Sequence, residues 1–141
     1  MFELYTDGGA RGNPGPAAIG GILYQRVNDQ QKIIKQFSKF IGHATNNQAE
    51  YQSLIFGLQL AKQLNVQEIN CYLDSELVVK QINHQYKIKN KELLTLFIQI
   101  WNLLPAFKKI HFFHIPRNQN QQADKLVNQA LDKEADSQYK K

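Results

Sequence analysis

Three strand patterns in a row, followed by strands that alternate with helical patterns, restrict this chain to a sheet of mixed direction. Residues 2 to 7, 17 to 25 and 32 to 41 read as strands, and Asn28-Asp29 between the last two is hairpin-turn chemistry. Together they predict an antiparallel meander. Behind it, His43-Ala44-Thr45-Asn46-Asn47 carries helix-start residues, and Ala49, Leu54, Leu58, Ala61 and Leu64 recur at helical spacing. Residues 68 to 74 return as a strand, helices are expected at about 75 to 84 and 90 to 104, a last strand at 109 to 115, and a last helix at about 120 to 133. Strands separated by helices pair through crossovers, so the expected fold is α/β, a five-stranded mixed sheet flanked by helices.

Size fits one such unit. A chain of 141 residues with 43% hydrophobic and 21% charged residues can bury a single core, and no Pro, Gly or Ser tract divides it. We expect residues 1–135 to form the domain and the polar stretch 136–141 to fray. Cys71 is the sole cysteine, which excludes an intrachain disulfide and a cysteine-built zinc site. The sequence opens directly on a strand pattern without signal-peptide features, and no segment has the roughly 20 apolar residues of a membrane span. A soluble, cytoplasmic monomer without membrane contact is the expectation. The net charge of +5 favours a polyanionic partner without identifying it.

Four acids carry the chemistry. Asp7, Glu50, Asp74 and Asp124 each fall at the end of a predicted strand or in the first turn of a predicted helix, where side chains can be aimed across the end of a sheet. Converging carboxylates repel one another unless a cation sits among them. Hard divalent ions meet that need, and Mg²⁺ is usually held by a few carboxylates together with water and substrate phosphate. Taken singly, Asp74 and Glu50 are equally well explained as acids near helix N-termini. Glu68, Glu76, Glu92 and Asp132 read as solvated charges.

The surroundings of the four acids make the reading specific. Tyr5-Thr6-Asp7-Gly8-Gly9 with Gly12-Asn13-Pro14-Gly15-Pro16, then Thr45-Asn46-Asn47-Gln48-Ala49-Glu50, Leu73-Asp74-Ser75, and Arg117-Asn118-Gln119-Asn120-Gln121-Gln122-Ala123-Asp124 occur in that order. In sequence and spacing the chain resembles the type 1 ribonuclease H family, in a short-loop form. The resemblance implies the ribonuclease H-like fold and a metal-dependent endonuclease that cuts the RNA strand of an RNA–DNA hybrid, leaving a 5′-phosphate and a 3′-hydroxyl. It implies two Mg²⁺ ions, replaceable by Mn²⁺, with Asp7 bridging them, Glu50 and Asp74 on one and Asp124 on the other. Asn13, Asn46 and Asn47 become the candidates for sensing the 2′-hydroxyl, which distinguishes RNA from DNA in a wide, shallow minor groove. Ala10, Gly12, Gln48 and Ser75 would add substrate contacts, and Thr45 would hold a phosphate of the DNA strand beside a helix start. Capping of the helix by Thr45, Asn46 and Asn47 accounts for the same residues without substrate.

Two departures from the family pattern bear on function. The mobile histidine loop that often precedes the last aspartate is missing, so His114 is the candidate for proton transfer, although its strand spacing with Ile110 and Phe112 suits a structural residue better. Otherwise that role is missing or partly taken by Arg117, which is also a candidate substrate contact. In place of a basic protrusion stands Lys87-Ile88-Lys89-Asn90-Lys91, with three lysines that would give salt-sensitive binding. Trp101, Leu103 and Leu104 share helical spacing with Leu94, Phe97 and Ile98 and are expected in the core, while His43, His84 and His111 have no metal-ligand spacing. The competing functions are a related nuclease of broader range that also cuts double-stranded RNA, and an inactive nucleic-acid-binding domain of the same fold.

Overall fold

A computed structural model of the chain describes residues 1–139. In chain order the elements are β1 (Phe2–Ala10), β2 (Gly15–Val27), β3 (Gln30–Ala44), α1 (Asn46–Gln63), β4 (Glu68–Leu73), α2 (Glu76–Ile82), α3 (Lys91–Leu103), β5 (Lys109–His114) and α4 (Gln121–Tyr139). Short 3-10 turns at Leu104–Ala106 and Arg117–Gln119 lead into β5 and α4. The five strands form one sheet in the order β3-β2-β1-β4-β5. β1, β2 and β3 pair antiparallel as the expected meander, whereas β4 joins β1 in parallel and β5 joins β4 in parallel. Val27 faces Gln30 across the β2–β3 hairpin, and Asn28 and Asp29 turn it with φ of 52° and 64°. Positive φ at both positions of a two-residue loop follows the twist of the flanking strands, and Asn and Asp tolerate it best after glycine.

Helices cover both faces. Leu4, Leu23, Leu54, Leu58, Ile69, Cys71, Leu73, Val78 and Ile100 are buried between the sheet and α1, α2 and α3. Burial pushes the Cys71 thiol well up, so the residue serves as a small core hydrophobe. On the other face α4 packs on β2, closely enough that a Cβ at Gly20 would stand 2.7 Å from the Ala123 carbonyl oxygen. No helix among the described residues is long and apolar enough to cross a membrane.

Four expectations need correction. β1 does not stop at Asp7 but runs on to Ala10, because Gly8, Gly9 and Ala10 continue the ladder with Ile19, Ala18 and Ala17. Glu50 lies one position beyond the first turn of α1. α4 continues past residue 133 to Tyr139, through the stretch expected to fray, while Lys140 and Lys141 lie outside the described residues. Lastly, α3 buries Leu93 and Ile100 but leaves Leu94, Ile98 and Trp101 42%, 49% and 52% exposed. Phe97 and Trp101 stack on each other, with His84 edge-on to both. Helical spacing located the apolar side chains of α3 correctly, but among the described residues no helix or strand lies in the connection from Asn83 to Asn90 to cover Leu94, Ile98 and Trp101.

Candidate active site

The parallel ladder of β1 with β4 ends at Thr6 and Leu73. Beyond it β1 stays with β2, while β4 ends and the chain turns into α2. A crevice opens where neighbouring strands part at their carboxyl ends, which is the usual ligand position in sheets of this kind. Asp7 and Asp74 are the first residues past the last paired rung, so strand geometry aims both into the crevice.

Glu50 arrives from α1. Gly8 permits the approach, since a Cβ there would stand 2.2 Å from the Ala49 carbonyl oxygen. With the helix so near, the Gly8 N–H donates to Glu50 Oε1 at 2.6 Å. Glu50 Oε2 is buried and has no hydrogen-bond partner among the described residues. One carboxylate oxygen each from Asp7, Glu50 and Asp74 lies within 4.8 Å of the others. Asp124, in the first turn of α4, lines the same cleft but is exposed and stands outside that group of three.

Electrostatics register the crowding. Burial raises the Asp7 carboxyl from 3.8 to about 6, and the charges of Asp74 and Asp124 push the same way. Burial also holds Glu50 well above the ordinary carboxylate range, with Asp7 and Asp74 adding to it. A buried carboxylate oxygen without a donor is costly unless a cation reaches it. The donor set of hard oxygens, clustered and with Glu50 Oε2 lacking a hydrogen bond, therefore fits a hard divalent cation.

Asn120 braces Asp74 without lining the cleft. It is 1% exposed, and its Nδ2 donates to the Thr6 carbonyl at 2.9 Å and to Asp74 Oδ2 at 3.1 Å. Both partners are acceptors, so the position requires an amide nitrogen. One residue thereby ties β1, the start of α2 and the entrance of α4 together. On the opposite wall Asn46 clamps the glycine turn to α1: its Oδ1 accepts from the Ala10 N–H at 2.8 Å, and its own N–H donates to Asn13 Oδ1 at 2.9 Å. Each side-chain oxygen is thus committed. Among the described residues the two NH₂ groups have no acceptor, which leaves donors at the rim.

The cleft these residues enclose measures about 380 Å³. Of the residues singled out from the sequence, Asp7, Ala10, Asn46, Asn47, Glu50, Asp74, Ser75, Arg117 and Asp124 line it. Gly12, Asn13, Thr45, Gln48 and His114 do not. Thr45 caps α1 by accepting from the Gln48 N–H at 3.1 Å, while Gln48 Oε1 accepts from the Thr45 N–H at 2.9 Å. Gln48 Nε2 also donates to Glu92 on α3, so both polar atoms of that side chain are engaged within the protein. Ser75 caps α2 through Val78. His114 is exposed at the end of β5, and its charge, after the larger effect of Lys80, lowers the Glu76 carboxyl.

Comparison with known proteins decides the family. The family model described as "Reverse transcriptase-like" matches residues 5–130. The bifunctional protein Rv2228c of Mycobacterium tuberculosis is 41% identical over 134 residues, covering 95% of this chain and 36% of that protein. Ribonuclease HI of Halobacterium salinarum is 40% identical over 130 residues, covering 92% and 64%. Among solved structures, LC11-RNase H1 in complex with an RNA/DNA hybrid superposes with a TM-score of 0.88 at 38% identity, covering 96% of this chain and 99% of that one. The chain belongs to the type 1 ribonuclease H family.

The chain spans about a third of the length of the mycobacterial relatives that it matches. As a ribonuclease H domain it has a feature that sequence reasoning passed over: Asn120 stood in a quoted motif without a role. Its signal was an asparagine directly before a helix. Arg11, flanked by four glycines in Gly8-Gly9-Ala10-Arg11-Gly12 and Gly15, was passed over too, although it lines the cleft.

Proposed function

We propose that this domain hydrolyses the RNA strand of RNA–DNA hybrids with two divalent cations, Mg²⁺ or Mn²⁺, leaving 5′-phosphate and 3′-hydroxyl ends. The observation that carries the reading is the group formed by buried Asp7 and Glu50 with half-buried Asp74, one oxygen of each lying within 4.8 Å of the others. Asp7, Glu50 and Asp74 would hold one cation, and Asp7 with Asp124 on α4 would hold the other. When bound, such cations supply a water of lowered pKa and neutralise charge on the leaving oxygen.

The chain's own residues do the rest. Asn120 holds Asp74 in its ligand orientation, as the Gly8 N–H holds Glu50. The amides of Asn46, Asn47 and Asn13 donate to 2′-hydroxyls of the RNA strand, with Ala10 and Gly12 allowing close approach. Thr45 faces the DNA strand. Arg117 at the mouth balances phosphate charge, a role closer to the site than His114 can take from the end of β5. That a relative of the same fold is described in complex with an RNA/DNA hybrid supports the substrate class.

The test compares labelled hybrid, duplex RNA and duplex DNA of one sequence, with Mg²⁺ and with chelator. Metal-dependent cutting of the hybrid RNA strand, with ligatable 5′-phosphate ends, is expected. Equal cutting of duplex RNA would favour the broader nuclease, and binding without cutting would favour an inactive domain.

A further inference from the structure

The cleft does not stop at the acids. Its wall continues along α4 past Val127, Asn128 and Leu131 to Arg11 in the glycine turn. There Arg11 Nη2 donates to Asp132 Oδ1 at 2.5 Å, with 46% and 66% of the two side chains exposed. Asp124, Asn128 and Asp132 recur every four residues and so share one edge of α4. Asn128 Nδ2 already leans on Asp124, 3.4 Å from its Oδ2. The edge thus runs from the acid cluster at one end to a guanidinium held by an acid at the other.

Two features separate this pair from an ordinary surface ion pair. The backbone that carries Arg11 is anchored: its N–H donates to the Pro16 carbonyl at 2.8 Å, and the flanking Ala10 and Asn13 are clamped by Asn46. The side chain therefore starts from a fixed point, on the same turn as the candidate readers of the 2′-hydroxyl. A guanidinium also offers five N–H donors in a planar fork suited to phosphate, and Asp132 engages one terminal nitrogen. A polyanion entering an acid-lined cleft needs compensating charge at the rim, and Arg11 and Arg117 are the two cationic residues of its lining.

We propose that Arg11 binds a phosphate of the RNA strand beside the scissile bond, and that Asp132 holds the guanidinium until RNA displaces it. The proposal rests on the hybrid-nuclease reading above. It makes Asp132 a competitor of substrate: removing its charge frees Arg11 and tightens binding, whereas removing Arg11 weakens binding and takes away the effect of Asp132.

The test measures the Kd of a short fluorescent RNA–DNA hybrid in Mg²⁺ across a KCl series, with all proteins in an Asp7→Asn background so that the substrate survives. Arg11→Ala is expected to weaken binding and to lower the slope of log Kd against log[KCl] by about one. Arg11→Lys is expected to restore the slope, because a point charge still neutralises phosphate. Asp132→Asn is expected to tighten binding about two- to fivefold at low salt when Arg11 is present, the range of an exposed ion pair, and to have no such effect beside Arg11→Ala. An unchanged slope in Arg11→Ala would overturn the assignment. So would equal tightening by Asp132→Asn with and without Arg11, which would mark a general field effect. Cleavage by the wild-type protein is the separate control. If it fails in Mg²⁺, the nuclease reading falls and this proposal with it; if it succeeds while the slope stays unchanged, Arg11 alone was misassigned.

Discussion

Asp7 keeps its proton to about pH 6 because it is buried among other carboxylates, and this sets how the metal-free protein responds to pH. Its folded pKa lies above the ordinary 3.8, so the folded state binds that proton more tightly than the unfolded chain. The stabilisation is full below about pH 4 and is lost as pH rises through about 6, amounting to roughly 3 kcal/mol. Glu50 shifts in the same direction. In chelator at pH 7, Asp7→Asn is therefore expected to melt higher than wild type by thermal unfolding, with the gap closing toward pH 4. The same substitution is expected to reduce hybrid cleavage on the order of a thousandfold or more if, as proposed, Asp7 serves both cations. Asn120→Asp would set a carboxylate against Asp74 and the Thr6 carbonyl without changing shape; a melting temperature below that of the wild type in chelator at pH 7, with the gap narrowing as Mg²⁺ is added, is the expected outcome. The four acids could be picked out in the sequence because each sits in a local motif; the structure groups Asp7, Glu50 and Asp74 and puts Asp124 in the same cleft outside that group. Asn120 and Arg11 were not, because their partners Thr6 and Asp132 lie 114 and 121 residues away and only the fold joins them.

Elements were legible where local patterning decided them, and less so where packing did. The β2–β3 turn at Asn28-Asp29, the start of α1 at Thr45 and the start of α2 at Ser75 follow from side-chain chemistry alone, and the structure has all three. β1 was expected to end at Asp7 because Gly8-Gly9 resembles a turn, yet those glycines are in the strand. Gly8 is there because α1 passes so near, not because the chain bends. Gly8→Ala is accordingly expected to cost about 2–4 kcal/mol in denaturant unfolding, as overpacking against backbone does. The converse holds on α3, where Leu94, Ile98 and Trp101 were expected in the core and are half exposed. Periodicity finds an apolar face but does not say what covers it. Ile98→Lys is expected to change stability by no more than about 0.5 kcal/mol in the same measurement.

For the whole molecule, the mixed α/β sheet and its antiparallel meander could be read from the order of patterns, because crossovers leave few arrangements open. The insertion of β1 between β2 and β4 could not, and it is this strand order that brings Asp7, Glu50 and Asp74 to one crevice. Charge is likewise distributed by the fold: in a chain of net charge +5, Asp7, Glu50, Asp74 and Asp124 meet in one cleft, with Arg11 and Arg117 also in its lining. The most direct measurement of the central claim is a Mg²⁺ titration that follows thermal stability and hybrid cleavage together. Both are predicted to rise over the same concentration range in the wild-type protein, and Asp7→Asn is predicted to abolish cleavage and flatten the stability response. Undiminished cleavage by Asp7→Asn, or cleavage that persists in chelator, would contradict the claim that these carboxylates form the catalytic metal site.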